Sequence, residues 1–327
     1  MFNMVFDIQI GNYKLGMLEK VVVDRSVEQL ADTAVITLPG TAYNKTLDVE
    51  SKIKRGDKIA VQFGYDNSLV DEFDGYLESI HTDDESITIN CEDPIFLYRV
   101  ALDNIELKAP TVKSILDYVN QKVSAYYPND DPFTLNCDYD FSYDKFVINN
   151  ATGYDVLKQI QDEAKPNVYL KGHVLHVHPQ YSQIFGSAVY DFSVNIDSEG
   201  CELKYRDIDE RKLMIEVEAK GKDGKVVKID VGSIGGDKET LKISGVTNID
   251  SLKKLAQERL NQKAYTGLEG SFKSWLVPYC DAGYKAKIID KDYEYKNGWY
   301  YVLGVKTEFS KNADSREIKL GKKLSDG

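Results

Sequence analysis

Three of the four histidines lie within six residues of one another, and histidine is the side chain most often used for metal binding and proton transfer. They are His173, His176 and His178, whereas His81 stands alone. In a strand, His176 and His178 point to one face and His173 to the other. A structural zinc site needs four ligands and a catalytic one usually three. Because no adjacent Cys, Asp or Glu completes the set, we predict ordinary strand histidines, with no metal and no cofactor.

Neighbouring carboxylates recur along the chain, and glycoside hydrolysis needs two carboxylates that face each other across a cleft. Neighbours in sequence do not show such facing, and most of these residues fall in predicted turns, where solvated charge is the rule. The glycine-containing segment 234–240 lacks the spacing of a phosphate-binding loop and is interpreted as a turn. Neither G-x-S-x-G nor H-E-x-x-H occurs. We therefore predict no catalytic residue and no enzymatic activity. The carboxylates considered are Asp71-Glu72, Asp83-Asp84-Glu85, Asp130-Asp131 and Asp207-Asp209-Glu210.

The composition excludes several classes of protein. The 327 residues are 42% hydrophobic and 29% charged, which is ordinary for globular domains and unlike a disordered or fibrous chain. The net charge of −12 disfavours nucleic acid as a partner, because phosphate binding relies on Lys and Arg. No apolar run reaches the roughly 18 residues of a membrane helix. The N-terminus has no basic stretch followed by an apolar core, which is the pattern of a signal peptide. We expect a chain made in a cytoplasm, with four reduced cysteines and no membrane insertion.

The first part of the chain, residues 1–108, has the pattern of strands. Ile59, Val61 and Phe63 alternate with polar or small residues, which is the period of a sheet with one buried face. Turn residues such as Gly56-Asp57 bound these runs. Several short strands with regular turns predict a small antiparallel β-barrel or sandwich.

Residues 109–200 have a mixed pattern and are predicted to form a separate α+β domain. Thr111 is a candidate helix N-cap and precedes a stripe of apolar residues. Thr152 begins a second helix with a variant capping box that Asp155 completes. A strand pair is predicted next, with its turn at Lys171-Gly172.

Residues 201–327 return to the pattern of strands. Asp223-Gly224 between two alternating runs predicts a hairpin, one helix is predicted at about 250–262, and the last strand at 317–320. The predicted fold class is therefore mainly β with an α+β insert, in which two similar small antiparallel β-barrels are separated by an α+β domain.

Charge is shared unequally between the two ends of the chain. Residues 1–200 hold 16 basic and 32 acidic side chains, whereas residues 201–327 hold 25 and 21. Such a division can be incidental. It also suits a head-to-tail ring, in which the acidic part of one subunit faces the basic part of the next.

Short motifs follow one another in a distinctive order in the first part. ADTAVITL at 31–38 precedes GDKIAVQFGY at 56–65 and FDGYLESI at 73–80. This order resembles the first barrel of the baseplate hub proteins of contractile-tailed phages, the late control protein D-like group. Type VI secretion spike proteins carry the same barrel. The motif positions in this part are Gly56, Asp57, Phe63, Gly64, Phe73 and Gly75.

The last part resembles the second barrel of the same family. The helix at 250–262 comes first, a proline and a glycine follow, and a Gly-Trp-Tyr run precedes the closing strand. These positions are expected to fix turns and bulges of the fold, so the resemblance assigns no catalytic residue. The motif positions in this part are Pro278, Gly283, Gly298, Trp299 and Tyr300.

The resemblance implies a homotrimeric ring that joins a sixfold tail tube to a threefold spike. Its partners would be two further copies, the tail tube protein and a spike protein, expected to be separate because residue 327 closely follows the second barrel. It would belong to the baseplate of a phage or prophage tail, or of a related contractile injection particle, assembled in the host bacterial cytoplasm. Its role would be symmetry matching and transmission of contraction. The alternatives are a β-rich polysaccharide or peptidoglycan hydrolase, or a carbohydrate-binding module.

Overall fold

A computed structural model describes residues 3–40, 48–66, 68–83, 86–197, 201–208, 212–220, 226–310 and 313–326. The predicted hairpin turn at 222–225 lies outside these ranges, as do Asp84, Glu85, Asp209 and Glu210. Strands make up 50% and helices 18% of the structure, so the prediction of a mainly β chain is confirmed.

The first part of the chain is built from antiparallel strands, as the alternating pattern predicts. Their inward residues, such as Ile59 and Val61, form a buried core shared by six strands. The elements are β1 (Met4–Ile10), β2 (Tyr13–Lys14), β3 (Lys20–Ser26), β4 (Thr33–Pro39), α1 (Val49–Lys52), β5 (Lys58–Tyr65), β6 (Ser68–Thr82) and β7 (Ser86–Glu92), followed by a short 3-10 helix (Pro94–Arg99) and β8 (Ile105–Lys108).

The middle part contains the two predicted helices and the predicted strand pair. The Thr111 side chain caps the first helix by accepting from the Ser114 N–H, and Thr152 and Asp155 form the predicted capping box of the second. The elements are α2 (Val112–Tyr126), β9 (Thr134–Cys137), β10 (Lys145–Ile148), α3 (Gly153–Ala164), β11 (Asn167–Lys171) and β12 (Val174–His178).

The last part contains the predicted hairpin strands and helix. Asn248 caps that helix by accepting from two backbone N–H groups. β13 (Ser187–Asp191) ends the middle part, and the elements of the last part are β14 (Lys204–Arg206), β15 (Leu213–Lys220), β16 (Val226–Gly232), β17 (Asp237–Ser244), α4 (Ile249–Lys263), β18 (Gly267–Ser274), β19 (Lys285–Ile289), a 3-10 turn (Glu294–Lys296), β20 (Gly298–Ser310) and β21 (Asp314–Ser325).

One long strand joins the first and last parts into a single sheet. The first residues of β20 pair with β19, and residues 304–310 pair with β3. Over the described residues this gives one thirteen-stranded sheet, in the order β14-β18-β21-β20-β3-β4-β7-β6-β5-β1-β2, with β19 attached to β20 and β13 to β19. No closed ring of strands occurs among these pairings, so the predicted two-barrel arrangement is not confirmed.

The buried side chains form two cores along this sheet, a third beneath the helices and a small fourth cluster around Tyr169 and Tyr301. The first core also takes in Leu276 and Phe309 from the last part of the chain. The second lies between β13, β18, β19, β20 and β21. The third joins α2 and α3 to α4 and to the sheet β16-β15-β17, so these three strands and α4 pack with the middle of the chain. The predicted three-part division at residues 108 and 200 stays a prediction.

Candidate functional site

A buried carboxylate lies between two arginines where the first and last parts of the chain meet. Arg316 Nη2 donates to Glu72 Oε1 over 2.5 Å, and Arg25 Nη2 donates to Glu72 Oε2 over 3.1 Å. The exposed fraction is 1% for Glu72 and 0% for Arg316. Arg316 Nη1 also donates to the Cys280 carbonyl and the Thr307 hydroxyl. The charges of this buried group therefore offset one another, and a carbonyl and a hydroxyl take further hydrogen bonds, whereas Arg316 Nε has no hydrogen-bond partner among the described residues.

The strands direct Arg25, Arg316 and Glu72 into the interior in two different ways: by side-chain alternation and by a β-bulge. Arg25 follows Val21 and Val23 at a spacing of two residues, so β3 aims it into the core. Arg316 stands in the same relation to Ile318 in β21. In β6, Asp71 pairs with Gln62 and Phe73 with Val61, so the bulge between them leaves Glu72 without a partner and turns it inward.

The loop before β19 and the hairpin of the middle part extend this charged junction. Arg25 Nε lies 3.2 Å from Asp281 Oδ1, and Lys171 Nζ lies 2.5 Å from Asp281 Oδ2. The Tyr279 hydroxyl accepts from Arg25 Nη1, and its ring lies against both guanidinium groups. Burial alone would raise the pKa of Asp281, but Arg25 and Lys171 outweigh it and lower that pKa. The junction thus ties all three parts of the chain together.

Two further carboxylates lie beside the junction, and neither has an ion pair with another side chain of the described residues. They line a cleft of about 420 Å³, together with Arg25, Lys171 and Asp281. Asp32 accepts from the Ser26 N–H, and Asp93 caps the 3-10 helix by accepting from the Ile95 N–H. Burial raises the pKa of Asp32 to about 6 against the opposing charge of Lys171. Burial, reinforced by the charge of Asp32, raises the pKa of Asp93 well above its usual range.

We expect Asp93→Asn to raise the free energy of unfolding at pH 7.5 by about 1–2 kcal/mol, because it removes a poorly compensated buried charge. Asparagine keeps the capping oxygen. The pKa of Asp93 is higher in the folded than in the unfolded chain, so its ionisation destabilises the fold above its unfolded pKa. As the pH falls through the unfolded pKa of about 3.9 the carboxyl becomes neutral in both states, and at pH 3.5 the difference should shrink to about 0.2 kcal/mol. Urea unfolding of both proteins at pH 7.5 and pH 3.5 measures this, and equal stability at pH 7.5 would contradict it.

The histidines lie where the strand pattern predicts them. His176 and His178 share a face of β12, with their facing nitrogens 3.0 Å apart, and His178 lies against Asp138. The His173 ring packs on Phe133 on the other side. Across the described ranges, no group of three or more His, Cys, Asp or Glu side chains is arranged to hold a metal ion.

The described carboxylates of the sequence pairs are dispersed, and four of them have hydrogen-bond partners of their own. Gln62 donates to Asp71, Lys58 to Asp130, and the Ser86 backbone N–H to Asp83. Asp207 accepts from the Thr266 hydroxyl. Glu72 alone enters the junction, which the sequence motifs did not identify.

The motif residues of the first part surround its core. Gly56 and Asp57 form the turn before β5, and Phe63 stacks on Phe309 with ring centroids 4.8 Å apart. Phe73 is buried in the same core. Gly64 and Gly75 lie where strands approach closely, because a Cβ there would lie 2.1 Å from the Ser68 carbonyl oxygen and 2.2 Å from that of Glu92.

The motif residues of the last part lie near the junction and at the far end of β20. The Pro278 carbonyl accepts from Tyr190. Gly283 has φ +79°, and a Cβ there would lie 2.7 Å from the Phe185 ring. Gly298 packs on Lys323, Lys285 lies over the Trp299 ring, and the buried Tyr300 donates to the Lys296 carbonyl. The two motif sets therefore form no single cluster.

None of the helices in the described part of the chain combines the length and apolar character needed to span a bilayer.

Comparison with solved structures finds the same fold in phage tail proteins. A tail protein from Neisseria meningitidis superposes with a TM-score of 0.67 at 16% identity, over 97% of this chain and 96% of that one. The 43 kDa tail protein of prophage MuSo2 from Shewanella oneidensis gives 0.65 at 15% identity, over 98% of both. An Escherichia coli component of the type VI secretion system gives 0.56 at 10% identity, over 97% of this chain and 77% of that one. No family profile and no curated protein matches the sequence. These similarities establish the fold.

Proposed function

We propose that the chain is a structural component of a phage tail or related contractile injection particle, and that three copies form a baseplate hub between the tail tube and the spike. The observation that carries the proposal is the fold shared with two tail proteins over 97–98% of this chain. The late control protein D-like motifs and the opposite net charges of residues 1–200 and 201–327 support the proposal of a trimeric hub.

The proposed hub works as a rigid body and performs no chemistry. Force that enters the first part passes to the last part through the β3–β20 ladder, which has seven paired positions. The buried Arg25–Glu72–Arg316 group lies beside that ladder and joins the same two parts. Sliding the parts would separate buried charges, which is costly in a low-dielectric interior.

We assign one contact between copies to an exposed apolar surface formed by Val194, Trp275 and Val277. Their exposed fractions are 74%, 61% and 63%. The two loops that carry them are joined by the hydrogen bond from Ser274 Oγ to the Asn195 carbonyl, and Leu276 between them is anchored in the first core. Large apolar side chains on a rigid support are typical of interface anchors.

The test is the mass of the protein in solution, measured by light scattering behind a sizing column. The proposal expects about 111 kDa, three times 37.0 kDa, and a trimer that salt weakens. Trp275→Ser with Val277→Ser should weaken trimer formation by about tenfold or more. The matched control is Tyr126→Ser, at an exposed position of α2, which should leave the mass unchanged. A 37.0 kDa species at every concentration would reject the trimer.

A further inference from the structure

Three titratable side chains of the middle part form a hydrogen-bonded relay that runs from the surface into the interior. Asp138, which is half exposed, lies 2.5 Å from His178 Nδ1, and His178 Nε2 lies 3.0 Å from His176 Nδ1. Both histidines are buried. If His178 donates to Asp138, its other nitrogen accepts from His176, so the relay is complete with both rings neutral.

The inner end of the relay lies at the contact between the middle part and the last part of the chain. His176 stacks on Tyr169, its partner across the β11–β12 pair, and the edge of Phe185 closes over both rings. Tyr169 packs in one core cluster with Tyr301 and Leu303 of β20. Phe185 fits against Gly283, whose missing side chain makes room for it.

A proton added to His176 would meet an unfavourable environment. Two imidazoles 3.0 Å apart can share one proton, but two charged rings would repel each other. The ammonium of Lys171, although paired with Asp281, adds a second cation on the same side. Tyr169 faces the ring as a neutral phenol, and Tyr301 packs beside Tyr169 in the same cluster. Asp138, with Glu258 near it, lies at the outer end beyond His178. Burial first, then His178 and Lys171, lower the pKa of His176 to about 4.

We propose that this relay is a pH-sensitive clasp, which holds the β11–β12 hairpin against the last part of the chain at neutral pH and releases it in acid. A histidine released into water has its ordinary pKa of about 6.5. Because the pKa of His176 is lower in the closed contact, the stabilisation is complete above pH 6.5 and is lost as the pH falls towards 4. The equilibrium for local opening should rise roughly 70-fold between pH 7.5 and pH 4.5.

Amide hydrogen exchange of the full chain tests the clasp, with rates corrected for the intrinsic effect of pH. We expect the protection of β11 and β12 to fall at least tenfold from pH 7.5 to pH 4.5, while that of β5 stays the same. His176→Gln keeps an amide donor towards His178 but has no titrating group, so its protection should change less than threefold. The matched control is His81→Gln, at an exposed position, which should respond as the unmodified protein does.

Two outcomes would overturn the clasp. One is constant protection of β11 and β12 in the unmodified protein, and the other is an undiminished pH response in His176→Gln. If that variant fails to fold, an NMR titration of the histidine rings in the unmodified protein decides the matter. A His176 resonance that titrates near pH 4 supports the clasp, and one that titrates near pH 6.5 overturns it.

Discussion

Glu72→Gln is expected to lower the free energy of unfolding by about 3–5 kcal/mol, the usual cost of removing one partner from a buried ion pair. The change preserves the shape of the side chain. It leaves the guanidinium of Arg316, which is 0% exposed, without the carboxylate to which both its Nη atoms donate. Arg25 keeps Asp281, so the larger part of the loss falls on the last part of the chain.

Urea unfolding at pH 7.5 gives this value, and the adjacent residue supplies the control. Asp71 is one position away in β6 but exposed, with a hydrogen bond from Gln62. Asp71→Asn should therefore change stability by less than about 0.5 kcal/mol. Equal losses of unfolding free energy for the two substitutions would contradict the prediction, because the buried ion pair would then stabilise the fold no more than the exposed hydrogen bond does.

The parts of this fold that sequence predicts well are those fixed by neighbours in the chain. The caps at Thr111 and Thr152 are local hydrogen bonds, so their residue types predict where α2 and α3 begin. The alternation in β15 and β16 predicts the antiparallel pair that forms. The side-chain period of a strand likewise places His176 and His178 on one face.

Strand pairing over long distances along the chain is what local patterns cannot give. The ladder between β3 and β20 joins residues almost 300 positions apart, and the sequence of neither strand identifies the strand with which it pairs. The similar patterns at the two ends therefore predicted two separate barrels, whereas β20 joins them in one sheet. In the same way, Leu252 of α4 lies in the core of the middle part although its sequence neighbours are strands of the last part.

The charged junction was missed for two physical reasons. Period two puts Arg25 on the buried face with Val23, and Arg316 on that with Ile318, so both signals were present, but arginine is rarely buried unless paired. Glu72 carries no such signal. Its inward direction depends on a bulge against β5. In the sequence, Asp71 and Glu72 together resemble two solvent-exposed carboxylates in a turn. A buried arginine on a strand is therefore the better guide to a site of this kind.

Gly75→Ala is expected to lower the free energy of unfolding by about 2–3 kcal/mol, the cost of forcing a group into a well-packed interior. Gly75 lies in β6 between two paired strands, and an added Cβ would lie 2.2 Å from the Glu92 carbonyl oxygen of β7 and 2.8 Å from the Phe73 ring. The backbone of β7 has to move, because the nearest atom is not a flexible side chain.

Gly56→Ala is the matched control, since its φ is +89° with nothing within 4 Å of the added carbon, and strain alone should cost about 1 kcal/mol. Urea unfolding ranks the two substitutions. A cost at Gly56 equal to or greater than that at Gly75 would mean that backbone conformation, rather than close approach of strands, sets the requirement for glycine in these motifs.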